Sequence, residues 1–154
     1  MTLQKREEII KKEFEVLNNW EEKYEYLIDL GRKLPKKPKE FRTDDKLING
    51  CQSKVWLEAK LKNDFRISFD ADSDALLPRG MVAIIIRLYS ELFPFEIIYS
   101  NTNLISQIGF QTFLSPIRAN GILLFIKKIK FYAIAFNAKI SVGLNNDKIK
   151  KNTY

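Results

Sequence analysis

Apolar side chains recur every three or four positions along the first thirty residues, with Lys and Glu between them. The repeat covers residues 4–17 and begins again over residues 20–28, which is typical of helices that bury one face. Asn19 can cap the second helix, with Glu22 three positions on, and Gly31 offers a stop. The pattern therefore predicts two antiparallel helices joined by a short turn.

The pattern then changes to alternation. Apolar and polar side chains take turns along residues 53–61, and the alternation resumes at Phe65, after the turn-forming pair Asn63-Asp64. Alternation is typical of strands with one buried face, and the pair between them favours a hairpin. We expect a small antiparallel sheet whose apolar face, including Phe65, is covered by the helices.

A run that is apolar nearly all round follows the second strand. Asp72-Ser73-Asp74 can supply caps for a helix that begins between residues 74 and 78 and ends near Ser90. The segment MVAIIIRLY predicts a central, buried helix, because it leaves almost no polar face for solvent. Strands enclosed between runs of helix indicate an α+β fold class rather than alternating α/β.

Ser115-Pro116 predicts the start of the last helix, because a capping side chain precedes a proline that the first turn tolerates. The helical pattern ends near Asn137. Residues 1–138 are therefore expected to form a single domain, and residues 139–154 a basic, loosely ordered tail.

The chain carries 26 Lys and Arg against 19 Asp and Glu, a net charge of +7. From residue 127 onward seven lysines face a single acid, Asp147, so the excess belongs to the C-terminal end and residues 1–126 are nearly neutral. Such an end is more often a solvated surface than a binding arm, and we expect no nucleic-acid partner. The alternative, a weak nucleic-acid binder acting through these lysines, predicts steep salt dependence.

No apolar stretch is long enough to cross a membrane, and the charged N-terminus lacks the apolar core of a signal peptide. We therefore expect a cytoplasmic location and no membrane partner. In that compartment a lone cysteine stays reduced.

The chain contains one cysteine, Cys51, and no histidine. A Cys–His nucleophile pair and a zinc site built from Cys and His are therefore excluded, and we expect no resident metal or cofactor. Without a second cysteine the chain cannot run an internal dithiol cycle. Any reaction of the thiol must be completed by a group on another molecule.

The surroundings of Cys51 favour a reactive thiol over the alternative, a small buried hydrophobe. Gly50 permits a positive φ angle, and the polar pair Gln52-Ser53 follows, which predicts an irregular loop beside a regular sheet. A loop held by a rigid scaffold allows a partner to reach the thiol.

Four blocks of the chain together resemble the SufE family of cysteine desulfuration proteins. They are LIDLGRKLP (27–35), GCQSKVW (50–56), DADSDALLPRGMVAIII (70–86) and LSPIRANG (114–121). The resemblance covers about residues 5–137. It implies a SufE/IscU-like α+β fold, in which helices pack on an antiparallel sheet.

The resemblance also implies a sulfur acceptor. A cysteine desulfurase that uses pyridoxal phosphate removes sulfur from L-cysteine and holds it as a persulfide. The acceptor takes this sulfur onto Cys51, stimulates the enzyme and delivers the sulfur to an iron–sulfur cluster scaffold. It is then a carrier and activator rather than a stand-alone enzyme, a monomer or weak homodimer, and pyridoxal phosphate stays on the partner. The alternative is a binding or regulatory module that retains the fold without sulfur transfer.

Several neighbours of the thiol have expected roles. Gly50, Gln52 and Ser53 are expected to shape the cysteine loop, and Arg118 matches a family arginine, for which we favour a docking or activating role. Asp74 matches a family acid close to the loop, where its carboxylate would raise the pKa of the thiol. Capping of the following helix is an equal alternative for Asp74.

Overall fold

The computed structural model describes residues 1–101, 103–109 and 114–152, and side chains as far as residue 147 in the last helix. The regular elements are α1 (Leu3–Glu15), α2 (Trp20–Lys33), β1 (Val55–Leu61), β2 (Ile67–Ser73), α3 (Leu76–Tyr89), α4 (Pro94–Ile98), α5 (Leu104–Gln107) and α6 (Pro116–Asn152), with 3₁₀ turns at Lys39–Phe41 and Asp44–Lys46. The small antiparallel sheet surrounded by helices confirms the α+β class.

Side-chain caps fix the starts of α1 and α2. The hydroxyl of Thr2 accepts a hydrogen bond from the Lys5 N–H, and the Asn19 side chain accepts one from the Glu22 N–H at 2.9 Å. The predicted cap at Asn19 is therefore confirmed. The Glu22 carboxylate accepts a bond from the N–H of Asn18, so the pair ties down the turn between the helices.

Gly31 does not end α2, contrary to the prediction, since the helix runs on to Lys33. Its role is close packing. A Cβ atom on Gly31 would lie 2.3 Å from the carbonyl oxygen of Leu76, and one on Gly80 would lie 1.9 Å from that of Leu27. Helices α2 and α3 thus approach so closely that only hydrogen fits at both positions.

Strands β1 and β2 pair antiparallel, with Val55 opposite Ser73 and Leu61 opposite Ile67. Apolar side chains of both strands join the core, as their alternation predicted. The prediction for Phe65 is wrong. This residue lies in the turn before β2 with a φ angle of 69°, and its side chain is half-exposed.

Helix α3 lies at the centre of the molecule and packs against α2 and β2. Ile84 and Leu88 are fully buried, as expected for a helix without a polar face. Pro78 lies in the first turn, but the residue before the helix is Ala75 and no side chain caps it. Of the two alternatives for Asp74, capping of α3 is therefore wrong.

Helix α6 begins at Pro116, as predicted, and buries one face against the core. The buried residues of this face include Ile122, Phe125, Ile129 and Ala133. The helix continues to Asn152, which differs from the prediction of a loosely ordered tail after residue 138. Residues 141–147 are exposed. This part prolongs a helix already nucleated on the core, because each added residue contributes a further main-chain hydrogen bond.

Candidate functional site

Residues 49–54 form an irregular loop, the cysteine loop, in front of β1. On its entry side the N–H of Ile48 donates a hydrogen bond to the carbonyl of Val55 at 2.8 Å. Gly50 then turns the chain with a φ angle of +90°, and a Cβ atom there would lie 2.7 Å from the Leu124 side chain. The conformation favours glycine at this position, because a φ angle in this range strains any other residue.

The Cys51 thiol is half-buried against the first turns of α6. Its Sγ atom lies 3.9 Å from the carbonyl oxygen of Gly121, in a weak S–H···O contact. A Cβ atom on Gly121 would lie 3.5 Å from Sγ, so the missing side chain leaves space beside the sulfur, next to the contact with the carbonyl. Gly121 is a site residue that the sequence reasoning missed, although an isolated glycine in a helical pattern is a signal of close approach.

A partly enclosed, mostly apolar cavity of about 40 Å³ lies beside the thiol. Its polar lining comes from Gln52, Ser53 and Arg118. The remaining lining is Val55, Pro78, Met81, Val82, Ile85, Ile117, Gly121, Ile122 and Phe125. The structure thus brings Cys51 together with three predicted site residues. It adds walls from α3 and α6 that the sequence did not indicate.

Burial raises the pKa of the Cys51 thiol, because a thiolate in apolar surroundings loses hydration. The direction agrees with the prediction, but the cause is burial and not the Asp74 carboxylate. Arg118 lines the same cavity and forms no ion pair with any carboxylate in the described part of the chain. Its guanidinium is therefore free to face a charge on the thiol or on a partner.

Asp74 and Ser73 hold the exit of the cysteine loop. The Asp74 carboxylate accepts a hydrogen bond from the Lys54 N–H at 3.1 Å. The Lys54 carbonyl in turn accepts bonds from the Ser73 hydroxyl at 2.8 Å and from the Asp74 N–H at 3.2 Å. Three hydrogen bonds thus fix the main chain of Lys54, three residues beyond the thiol.

The neighbouring Asp72 is almost completely buried and lies between two arginines. Its carboxylate accepts hydrogen bonds from Arg42, at 2.9 Å, and from Arg79. Arg79 also donates to the carbonyls of Gly31 and Leu34, at 3.0 and 2.8 Å. A buried carboxylate requires such partners, and this network ties the end of β2 to α2. The sequence alone indicates only a capping role for Asp72.

The described residues have two further properties, which concern metal binding and membrane crossing. They contain no cluster of three or more His, Cys, Asp or Glu side chains arranged to hold a metal ion. None of the helices searched combines the length and the apolar character that a membrane crossing requires.

Comparison with known proteins places the chain in a family. The family model described as "SufE: Fe-S metabolism associated domain" matches residues 8–133. A protein of Wigglesworthia glossinidia brevipalpis named cysteine desulfuration protein SufE is 37% identical over 120 residues, which cover 77% of this chain and 83% of that protein. A SufE-like protein of Rhizobium meliloti (strain 1021) is 36% identical over 122 residues, covering 77% of this chain and 87% of the relative.

A solved structure gives independent support for the fold. The solution structure of a hypothetical protein from Thermus thermophilus superposes with a TM-score of 0.69 and covers 86% of this chain and 96% of that one. At 12% sequence identity this likeness concerns the fold alone.

Proposed function

The chain belongs to the SufE family, and on this premise we propose that it is a sulfur carrier. Its Cys51 receives sulfur from a cysteine desulfurase that uses pyridoxal phosphate, and the protein stimulates that enzyme and supplies sulfur for iron–sulfur cluster assembly. The family domain is associated with Fe–S metabolism, and the Wigglesworthia relative is named a cysteine desulfuration protein. Pyridoxal phosphate remains on the desulfurase.

One observation carries the proposal: the chain's single thiol lies in a glycine-hinged loop at an apolar cavity between α3 and α6. A structural cysteine needs no space beside its sulfur. The cavity beside the sulfur of Cys51 has a volume of about 40 Å³. A cavity of only about 10–15 Å³ already holds a water molecule. The space is sufficient for one added sulfur atom.

The reaction is an exchange at sulfur without net oxidation or reduction. The Cys51 thiolate attacks the outer sulfur of the persulfide on the desulfurase, forming an S–S bond at Sγ. The S–S bond within the donor persulfide breaks, and its inner sulfur leaves with the electron pair as the enzyme's thiolate. The proton that Cys51 gives up balances the charge on the departing thiolate. The outer sulfur is later passed on by a second exchange of the same kind. A thiolate of the next acceptor attacks it, and Cys51 leaves as the thiolate.

The structure supports a resting state of low reactivity. Burial raises the pKa of Cys51, so the protonated thiol dominates near neutral pH. The Gly121 carbonyl and α6 cover one side of Sγ. Docking of the desulfurase is therefore proposed to shift the cysteine loop outward and to bring the Arg118 guanidinium to the thiolate that forms, which accounts for both transfer and activation.

After transfer the loop closes, and the outer sulfur occupies the cavity. Its apolar lining keeps water away from a group that is readily oxidised or reduced. The carrier thereby protects the persulfide between donor and acceptor.

Intact-mass measurement tests the proposal. The protein is mixed with a pyridoxal-phosphate cysteine desulfurase and L-cysteine, with a reductant-treated sample in parallel. We expect a gain of one or more sulfur atoms that reductant reverses and that is absent from Cys51→Ser. A folded wild-type protein that gains no sulfur from several such desulfurases would favour a binding or regulatory module instead.

A further inference from the structure

A second, open groove lies directly beside the cysteine loop and is separate from the thiol's cavity. It has a volume of about 340 Å³ and runs between the segment 47–49 and the outer side of α6. Ile48, Leu124 and Phe131 give it an apolar floor, and Lys127 and Lys128 line it with positive charge. We refer to it as the lysine groove.

The charge of the lysine groove is not compensated within the described chain. Neither Lys127 nor Lys128 forms an ion pair with a carboxylate among the residues that the structure describes. The Lys128 ammonium instead lies 4.9 Å from the centre of the Phe131 ring and 5.3 Å from that of Tyr132. These cation–π contacts hold the charge at the edge of the groove.

The α6 wall of the groove contains no counter-charge in its sequence either, whereas the opposite wall, 47–49, follows Asp44, Asp45 and Lys46. Between Glu96 and Asp147 the chain has no acidic residue, while this stretch carries Arg118, three lysines at 127, 128 and 130, and Lys139. The ammonium of Lys130 is bonded to the carbonyl of Ser100. The side of α6 between Arg118 and the lysine groove thus carries charge of one sign, which attracts an anionic surface.

The groove also exposes apolar surface that the fold does not use. Phe131 is 58% exposed, although an aromatic ring of this size gains from burial. An apolar floor rimmed by unpaired cations is complementary to a protein segment that carries an apolar side chain flanked by Asp or Glu.

The position of the groove identifies which partner covers it. The Leu124 side chain lies at one end of the groove and contacts Gly50, the residue before the thiol. A stable interface buries about 800 Å² on each partner, a disc of roughly 16 Å radius. Asn49, on the groove wall, is two residues from Cys51 and therefore within about 8 Å of it. An interface of this size centred on Cys51 reaches the groove wall at Asn49, so the groove adjoins the surface on which a sulfur donor docks.

We propose that the lysine groove is the docking site for an acidic segment of the cysteine desulfurase, with an apolar side chain of that segment on Phe131. This inference rests on the proposed function and adds the chemistry of the contact. The groove supplies affinity and orientation, while the thiol and Arg118 act at the sulfur.

The test compares two charge reversals of equal size on the full-length chain. Lys127→Glu/Lys128→Glu alters the groove, and Lys11→Glu/Lys12→Glu alters an exposed pair of adjacent lysines on α1. Binding to a desulfurase that loads the wild-type protein with sulfur is measured at low and raised salt, and folding is checked by thermal unfolding. We expect the groove variant to bind about tenfold more weakly or worse at low salt and to lose most of the salt dependence. The α1 variant should bind like wild type.

The apolar part of the proposal has its own matched pair. Phe131→Ala removes the exposed ring of the groove, and Phe95→Ala removes a ring on α4 of nearly the same exposure, 56%. Only Phe131→Ala should weaken binding. Lys127→Arg/Lys128→Arg should retain it, because the charge is kept.

The outcomes separate the two proposals. If wild type gains sulfur on Cys51 but the groove variant binds as tightly as the α1 variant, the groove proposal is overturned and the sulfur carrier stands. Equal weakening of both variants would also overturn it, because net charge would then explain the effect. If the groove variant instead loses binding to RNA or to anionic vesicles while desulfurase binding is unchanged, the groove does not bind an acidic segment of the desulfurase and the proposal is overturned. If wild type gains no sulfur, both proposals fall.

Discussion

The sulfur of Cys51 lies 3.9 Å from the main-chain oxygen of Gly121, a residue 70 positions further along the chain. Because Gly121 has no side chain, the space next to the sulfur stays open. A glycine inside a helix costs about 0.5–1 kcal/mol relative to alanine. Helix α6 is therefore less stable at Gly121 than it would be with alanine, and this is the position that leaves space for the thiol.

Replacing this glycine should separate stability from transfer. In Gly121→Ala the new methyl group would lie 3.5 Å from Sγ, at ordinary contact distance, so the fold accepts it. We expect the free energy of unfolding in urea to rise by about 0.5–1 kcal/mol, while sulfur loading by the desulfurase slows. Gly143→Ala is the matched control, since its Cβ atom would meet nothing within 4 Å. Equal loading of both variants would contradict a role of this space in transfer.

Alkylation of Cys51 should show a raised pKa. We expect the rate of reaction with iodoacetamide to rise with pH through a midpoint above that of an ordinary cysteine, about 8.5, because burial disfavours the thiolate. The same chain in denaturant should show the ordinary midpoint. The folded state then holds the proton more tightly than the unfolded state. Stability should therefore fall as pH rises between the two values, and Cys51→Ser should abolish that fall.

Loosening the exit of the cysteine loop should increase access to the thiol. Asp74→Ala removes the carboxylate that accepts from the Lys54 N–H. We expect faster alkylation of Cys51 near neutral pH with a loss of about 0.5–1.5 kcal/mol in the free energy of unfolding. Asp29→Ala, on an exposed ion pair in α2, should leave the alkylation rate unchanged. An unchanged rate in the Asp74 variant would show that this bond does not restrain the loop.

The Asp72 network should matter far more for stability. Asp72→Asn leaves the partly buried Arg79 without its anionic partner, and removing one member of a buried ion pair costs about 3–5 kcal/mol. Asp29→Asn breaks an exposed pair with Arg32 and should cost less than about 1 kcal/mol. Chemical denaturation of both variants gives the comparison. Similar losses for the two would mean that the Asp72 charge is not required.

Arg118 should act on transfer and not on folding. Its side chain lines the thiol's cavity without an ion pair to any described carboxylate, so Arg118→Ala should leave the melting temperature close to wild type. We expect sulfur loading to slow by about tenfold, since the proposed charge contact with the thiolate or the partner would be lost. Arg118→Lys should recover part of the rate, and Arg32→Ala on α2 serves as control. Loading at the wild-type rate in Arg118→Ala would exclude the residue from the reaction.

The local elements of this protein were predictable because their causes are local. Each of them depends on residues that are close together in the sequence. Examples are the Asn19 cap, the alternation along β1 and the proline at the start of α6. Gly31 shows where this reasoning fails. From the sequence it indicates a helix stop, but its reason lies in the Leu76 carbonyl of another helix, 2.3 Å from where its Cβ would be.

The class of chemistry follows from composition alone, because one thiol and no histidine require that a partner complete any reaction of Cys51. The sequence also determined the α+β class, through the periods of its apolar positions. The surroundings of the thiol, in contrast, depend on how distant elements pack. The cavity between α3 and α6, the bonds from β2 to Lys54 and the lysine groove beside Gly50 join residues that are distant in the sequence. Lys54 and Asp74 are 20 positions apart, and Cys51 and Gly121 are 70. Periodicity records which face of an element is buried but not which distant element it meets, and packing alone fixes that choice.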